Sequence, residues 1–205
     1  MSDSATKDSY SALAGKYDDR WQKYLSHTHD TVIEHLRISP NSTILDISCG
    51  TGLFQKKLIE KQVSFKNMVM NDLSRGMLEI SQSRFSELER FSFTNQHAGS
   101  LSFTDNSFDI ILCLSSFHNY KDQKTVCSEM YRVLKPGGTI YILDWNNSGF
   151  FKFINLLLDW SNPEIINTKS ATEVVRLLKD SSFNIVKDRE WWFGRWKFFL
   201  ISAEK

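Results

Sequence analysis

The stretch that decides the fold is Thr43-Ile44-Leu45-Asp46-Ile47-Ser48-Cys49-Gly50-Thr51-Gly52. Its first five residues form a short apolar run that predicts a buried strand. Gly50 and Gly52 follow, and a helical pattern then continues to about Lys61. Glycine permits a tight turn and lets a ligand approach the backbone. The unpaired N–H groups of the following helix suit an anionic group. A second strand candidate, Asn67–Met70, ends at Asn71-Asp72. A carboxylate at that strand end can accept hydrogen bonds from both hydroxyls of a ribose. An ordinary βα turn explains the glycines alone; the paired acid turns the reading toward a nucleoside-containing ligand.

Outward from this unit the pattern repeats. Phe91–Thr94, Phe108–Leu114 and Thr139–Leu143 read as further strands. Helices are predicted over about Ser9–Leu36, from a Ser74 cap to about Glu89, over Lys121–Leu134 and over Thr172–Leu178. Pro40-Asn41 and Pro136-Gly137-Gly138 act as breaks. Phe183–Val186 and Lys197–Ile201 suggest two closing strands joined near Gly194-Arg195. Strands alternating with helices imply parallel pairing with right-handed crossovers, a doubly wound α/β sheet. Ligands in such sheets bind beyond the carboxyl ends of the strands.

Composition sets bounds. The chain has 205 residues, which predicts a single domain, and 25 Lys plus Arg against 24 Asp plus Glu. That balance argues against a nucleic-acid partner. No apolar run approaches the roughly 20 residues that span a bilayer, and the polar start at Met1–Asp8 does not resemble a signal peptide. Cys49, Cys113 and Cys127 form no CxxC pair, so neither a disulfide framework nor a cysteine zinc site is expected, and the cytoplasm is the expected compartment. His27, His29 and Asp30 lack metal-ligand spacing and are read as a solvated helix surface; no metal is expected.

The dinucleotide fingerprint G-x-G-x-x-G needs a third glycine, and here Gln55 stands in that place. The chain instead resembles the class I S-adenosylmethionine-dependent methyltransferases. The resemblance rests on Leu45–Gly52, on Asn71-Asp72-Leu73-Ser74, on Leu101-Ser102-Phe103 with Asn106-Ser107-Phe108-Asp109, and on Leu134-Lys135-Pro136-Gly137-Gly138, in order over about 40–145. It is strongest toward the branch of quinone and small-molecule methyltransferases. It implies a doubly wound, seven-stranded, mostly parallel sheet with an antiparallel last strand. It also implies S-adenosylmethionine as cofactor and a small, apolar acceptor. The chain then divides into a helical cap (1–40), a cofactor-binding core (41–145), an acceptor-site cover (146–170) and a closing helix and hairpin (171–205).

The resemblance assigns roles. Ser48, Cys49, Gly50 and Gly52 would pass beneath the methionine part, with Asp46 orienting its amino group. Asp72 would hold the ribose, Leu73 would pack on the adenine, and Leu114 and Ser115 would approach the methionine end. Tyr10 and Tyr17 would close over the site, although plain helix packing explains them equally well. Two departures stand out. Ser48 replaces a usual glycine and fits if its φ is not left-handed. His97-Ala98 replaces an Asp-Ala pair that meets the adenine amino group; a neutral imidazole can accept that hydrogen bond, and a protonated one cannot.

Methyl transfer from a sulfonium is an in-line displacement in which alignment supplies much of the rate. An acceptor hydroxyl or carbon acid also needs a base. His118, Tyr120 and Asp144 lie past the strand ends and are the candidates, with a polar cap as the plainer reading of His118. Two rival readings stay open, a nucleotide-dependent oxidoreductase and a non-catalytic cofactor-binding domain. No stable membrane association is expected, and the sequence is silent on oligomeric state. The 27 aromatic residues (15 Phe, 6 Trp, 6 Tyr) concentrate in the closing hairpin, in 150–160 and in the first helix. The first group reads as sheet packing, and the other two as walls of an apolar acceptor pocket.

Overall fold

The computed structural model describes residues 3–148, 167–194 and 196–205, with the side chains of 3–9 and Leu13 left aside. The 150–160 stretch, Arg195 and most of the expected 146–170 cover lie outside the described residues. Seven strands form one sheet: β1 (Thr43–Asp46), β2 (Asn67–Asn71), β3 (Phe91–Thr94), β4 (Phe108–Leu114), β5 (Leu134–Trp145), β6 (Asn184–Phe193) and β7 (Trp196–Glu204). The described helices are α1 (Asp3–His35), α2 (Leu53–Glu60), α3 (Arg75–Phe85), α4 (Gln123–Val133) and α5 (Ala171–Asp180), with a 3₁₀ turn at Phe117–Asn119.

The spatial order is β3-β2-β1-β4-β5-β7-β6. The first five strands run parallel to one another, and β7 pairs antiparallel with both β5 and β6. The strand order reverses at β1, between β2 and β4, and the site is expected at that switch point. The expected sheet is therefore present, antiparallel strand included.

Alternation explains the layering. In β1, Ile44 faces a cluster with Phe54, Leu58 and Phe85, whereas Leu45 faces one with Val126, Met130, Val174 and Leu178. Both are wholly buried, so α1, α2 and α3 cover one face and α4 and α5 the other. Caps fix three helix starts: Ser74 Oγ accepts from Met77 N, Asp122 Oδ1 accepts from Thr125 N, and Ser170 with Glu173 forms a capping box.

Several boundaries differ from expectation. The third helix ends at Phe85, not Glu89, and α5 extends through Asp180. β5 begins at Leu134 and includes Pro136-Gly137-Gly138, read above as a break. The glycines are accommodated by a register shift against β4 between Phe108 and Ile110, and by a left-handed Gly137 (φ 74°). β6 is much longer than Phe183–Val186 because β7 offers it a continuous partner. Asp109 and Lys135, both in motifs of the resemblance, form a framework pair: Lys135 Nζ lies 2.9 Å from Asp109, whose Oδ2 also accepts from Thr43 N.

Candidate active site

The glycine loop is shaped by its backbone. Gly50 (φ 55°) and Gly52 (φ 82°) are left-handed, and Ser48 is not, which is why serine fits there. A Cβ on Gly52 would come within 2.5 Å of the Phe85 ring, so glycine is required for close approach as well as for φ. Asp72 steadies the loop: its Oδ2 accepts from Gly50 N and its Oδ1 from Ser74 N, each at 2.8 Å. Asn71, at the end of β2, joins three segments. Its amide donates to Ile47 O and Gln96 O, and its Oδ1 accepts from Gln96 N and Thr94 Oγ1.

Asp46 lies beneath the loop and is buried. Gln55 Nε2 donates to its Oδ2 at 2.6 Å and Ser48 N to its Oδ1 at 3.2 Å. Gln55 thus occupies the position of the absent third glycine and turns inward to the acid. Burial pushes the Asp46 carboxyl up to about 7 and that of Asp72 up to about 6. Two desolvated carboxylates facing one cleft form a site that favours positive charge or hydroxyl donors. The Cys49 thiol is pushed up by burial, so it is not an activated nucleophile.

The cleft contains about 1040 Å³ of empty space, part of it open to solvent, and its lining includes, of the expected cofactor residues, Tyr10, Tyr17, Asp46, Ser48, Cys49, Gly50, Asp72, Leu73, His97, Ala98, Leu114 and Ser115, while Gly52 turns toward α3.

 Twelve of the thirteen therefore face the cleft directly, and Gly52 contributes through the turn it allows.

Helix α1 crosses the mouth. Tyr10, Tyr17 and Tyr24 recur every seven residues along one face. Tyr10 Oη accepts from Asn119 Nδ2 at 3.2 Å, and Tyr24 Oη donates to Ser115 Oγ at 2.8 Å. Tyr24 was absent from the expected site residues, although the seven-residue spacing announces it. Thr51 Oγ1 donates to Asp18 Oδ1 at 2.7 Å, Arg84 Nη1 donates to Thr51 O at 2.7 Å, and Arg84 also pairs with Asp18. Ser11 and Ser74 share a hydroxyl contact of 2.9 Å. The cap thus touches the loops that follow β1, β2 and β4.

Other expectations are corrected. His27 and His29 do not lie on a solvated surface. His27 stacks on Phe193 with ring centroids 4.0 Å apart, and buried His29 meets Phe54 edge-on at 5.2 Å. Burial lowers His29 to about 3. Residues two apart on a helix face different ways, and both sides of α1 are covered. Among the described residues, no group of three or more His, Cys, Asp or Glu is placed to hold a metal. His97 Nδ1, the expected acceptor, is already taken by Gly99 N at 3.1 Å, so a neutral ring carries its proton on Nε2.

Of the three candidate helpers, only Tyr120 lines the cleft, its Oη 2.6 Å from Ser48 Oγ. His118 and Asp144 pair outside the lining, with Nδ1 2.8 Å from Oδ1 and side chains 5% and 3% exposed. The His118 ring stacks on Trp145 at 4.6 Å, and Trp145 on Trp196 at 5.4 Å. In the closing hairpin Phe198 and Phe199 are buried, but Trp192 is 55% exposed, so sheet packing does not account for every aromatic there.

Sheet order, glycine turn and strand-end acids define a class I S-adenosylmethionine-dependent methyltransferase fold. Residues 45–142 match the family described as Methyltransferase domain. A demethylmenaquinone methyltransferase of Oceanobacillus iheyensis is 30% identical over 139 residues, 64% of this chain and 58% of that protein. The chain thus spans little more than half the length of that curated relative. The solved S-adenosylmethionine-dependent methyltransferase from Aquifex aeolicus superposes with a TM-score of 0.74 at 20% identity, covering 94% of this chain and 97% of that one. The [4+2]-cyclase SpnF superposes at 0.75 and 17% identity, covering 90% and 83%. These structures share the fold. Among the described residues, no helix is long and apolar enough to cross a membrane.

Proposed function

We propose that this protein transfers a methyl group from S-adenosylmethionine to a small, apolar acceptor of the hydroquinone type. The observation that carries the reading is the pairing of the left-handed Gly50–Gly52 turn with Asp72, whose carboxylate binds the Gly50 amide at the switch point. When bound, the cofactor supplies an activated methyl group on a sulfonium. Asp72 takes the ribose hydroxyls, and Leu73 packs on the base. Asp46, close under the loop, meets the amino group. Ser115 and Leu114 approach the methionine end, and Tyr10 and Tyr17 exclude water from above. Desolvation strengthens each of these electrostatic contacts.

The fit is supported by two buried carboxylates, Asp46 and Asp72, which form no ion pair among the described residues. Gln55 fills the approach that a dinucleotide loop keeps open for its third glycine, which speaks against the oxidoreductase reading. The acceptor class rests on the demethylmenaquinone methyltransferase named above as similar to this chain.

Thermal unfolding tests the cofactor. At 100 times its dissociation constant a ligand stabilises by about 2.7 kcal/mol, and each kcal/mol moves the midpoint of a chain this size by roughly 2–4 °C. S-adenosylhomocysteine is expected to raise the midpoint by several degrees and NAD to leave it unchanged. An equal response to both rejects the reading. Transfer of labelled methyl to a reduced naphthoquinone then separates an enzyme from a domain that only binds.

A further inference from the structure

We infer that Tyr24 is a positioning residue: from outside the cleft lining, its hydroxyl holds Ser115 in the left-handed turn that shapes the methionine end of the cofactor site. The inference rests on the cofactor reading above and deepens it. It begins with a backbone angle. Among the described residues, four that are not glycine have a positive φ: Gln62, Asn106, Ser115 and Ser182. Gln62 and Ser182 follow the ends of α2 and α5, where a left-handed residue closes a helix. Asn106 is of a type that visits this region. Ser115 (φ 55°) has neither reason, and of the four it alone lines the cleft. A left-handed serine persists only where its surroundings hold it.

Two contacts hold this one. Ser115 N donates to Leu143 O at 2.8 Å, which carries the β4–β5 pairing past Leu114. Tyr24 Oη donates to Ser115 Oγ at 2.8 Å from helix α1. The Tyr24 ring is itself clamped. It stacks on Phe198 of β7 with centroids 5.5 Å apart, meets Trp21 edge-on at 5.8 Å and lies against Trp145 of β5 at 6.4 Å. Burial pushes its phenol up, so the hydroxyl keeps its proton and remains a donor. A donor on a clamped ring fixes the place of Ser115 Oγ, and with it the direction of the Cα–Cβ bond. Tyr24 does not line the cleft, so it acts on the ligand through Ser115.

The consequence is a link between the cap helix and the cofactor. Without the Tyr24 bond, the backbone at Ser115 relaxes toward negative φ and the turn after β4 leaves its place at the methionine end. The loss falls on cofactor affinity, because Tyr24 stands off the cleft.

The test uses the full chain at pH 8, where Asp46 and Asp72 are ionised, and S-adenosylhomocysteine titrated calorimetrically. Tyr24→Phe keeps the ring, removes the donor and is expected to weaken binding by about tenfold, the scale of an unsupported left-handed residue. Ser115→Ala removes the same bond from the other side and is expected to show a similar loss. Two double variants then separate position from packing. Tyr24→Phe with Ser115→Gly is expected to recover about fivefold or more of the loss, since glycine takes a positive φ without support. Tyr24→Phe with Ser115→Ala is expected to recover none of it, because the Cβ and its penalty remain. Equal affinities of the two double variants overturn the inference, as does native affinity in Tyr24→Phe or in Ser115→Ala. If the native protein does not bind the probe, the cofactor reading itself falls and takes the inference with it.

Discussion

The hydroxyl oxygens of Ser48 and Tyr120 lie 2.6 Å apart, and this contact ties the glycine loop after β1 to the turn after β4. Tyr120 Oη also lies 3.4 Å from Ser116 Oγ and 3.9 Å from Cys113 Sγ. Serine at the first loop position is therefore a member of a hydroxyl chain beside the cleft, a role glycine could not fill.

Ser48→Gly and Tyr120→Phe should each destabilise the protein, by about 1 kcal/mol, because each leaves the partner hydroxyl short of a hydrogen bond. The double variant should lose less than the sum, with a coupling of about 0.5–1.5 kcal/mol. Denaturant unfolding of the four proteins measures it. Strict additivity would show that the contact contributes nothing.

The two loop glycines should respond differently to alanine. At Gly52 a Cβ meets the Phe85 ring at 2.5 Å in addition to a φ of 82°, whereas at Gly50 nothing lies within 4 Å. Gly50→Ala should cost the left-handed penalty alone, about 1–2 kcal/mol. Gly52→Ala should add an overpacking term of about 1–3 kcal/mol. Equal losses in urea unfolding would refute this division.

The strands, the glycine turn and Asp72 were legible in the sequence because they rest on local signals: apolar periodicity, glycine freedom and a strand-end acid. What was not legible came from packing between distant segments. Nothing near Thr51 announces Asp18 or Arg84. His27 and His29 read as surface because the sequence does not show that the β6–β7 hairpin covers one side of α1 and α2 the other. The polarity of His97 depends on one backbone amide two residues on, which no residue pattern encodes.

Cofactor affinity should rise between pH 5.5 and 7.5. Asp46 and Asp72 stand at about 7 and 6, above the ordinary 3.8, because burial penalises their charged forms. In the ligand-free protein these raised values favour the folded state below 3.8, and that advantage is lost as pH climbs through 6 and 7. A bound ammonium and ribose favour the ionised carboxylates, so binding releases protons in the same window. His29, lowered to about 3 from 6.5, acts in the opposite sense, and its contribution is lost as pH falls below 6.5. Asp46→Asn should therefore raise ligand-free stability at pH 8 and weaken S-adenosylhomocysteine. A dissociation constant independent of pH would contradict the assignment.

Arg84→Ala should loosen the cap. Arg84 joins Asp18 on α1 to the Thr51 carbonyl in the glycine loop. The pair is partly exposed, which limits its contribution to global stability to about 0–1 kcal/mol. Its position across the mouth makes the larger effect kinetic: faster release of S-adenosylhomocysteine and faster amide exchange over residues 10–24. Unchanged exchange in that segment would show that the clasp does not hold α1.

The last prediction separates a base from a brace. Asp144 accepts from His118 N and His118 Nδ1 at 2.8 Å and from Trp145 N at 2.7 Å. Three donors converge on one buried carboxylate, and the histidine it holds lies off the cleft lining. The arrangement fits a pair that fixes the 117–119 turn, from which Asn119 and Tyr120 reach the cleft. Asp144→Asn places an amide N–H against these donors and should destabilise strongly, by about 3 kcal/mol, the lower end for breaking a buried pair. His118→Gln should lower turnover severalfold through KM for the cofactor, because the turn shifts, while the pH profile keeps its form. With labelled methyl and a reduced naphthoquinone as acceptor, loss of the acidic limb of that profile in His118→Gln would instead make His118 the proton acceptor, with Nε2 reaching substrate and Asp144 as its orienting partner.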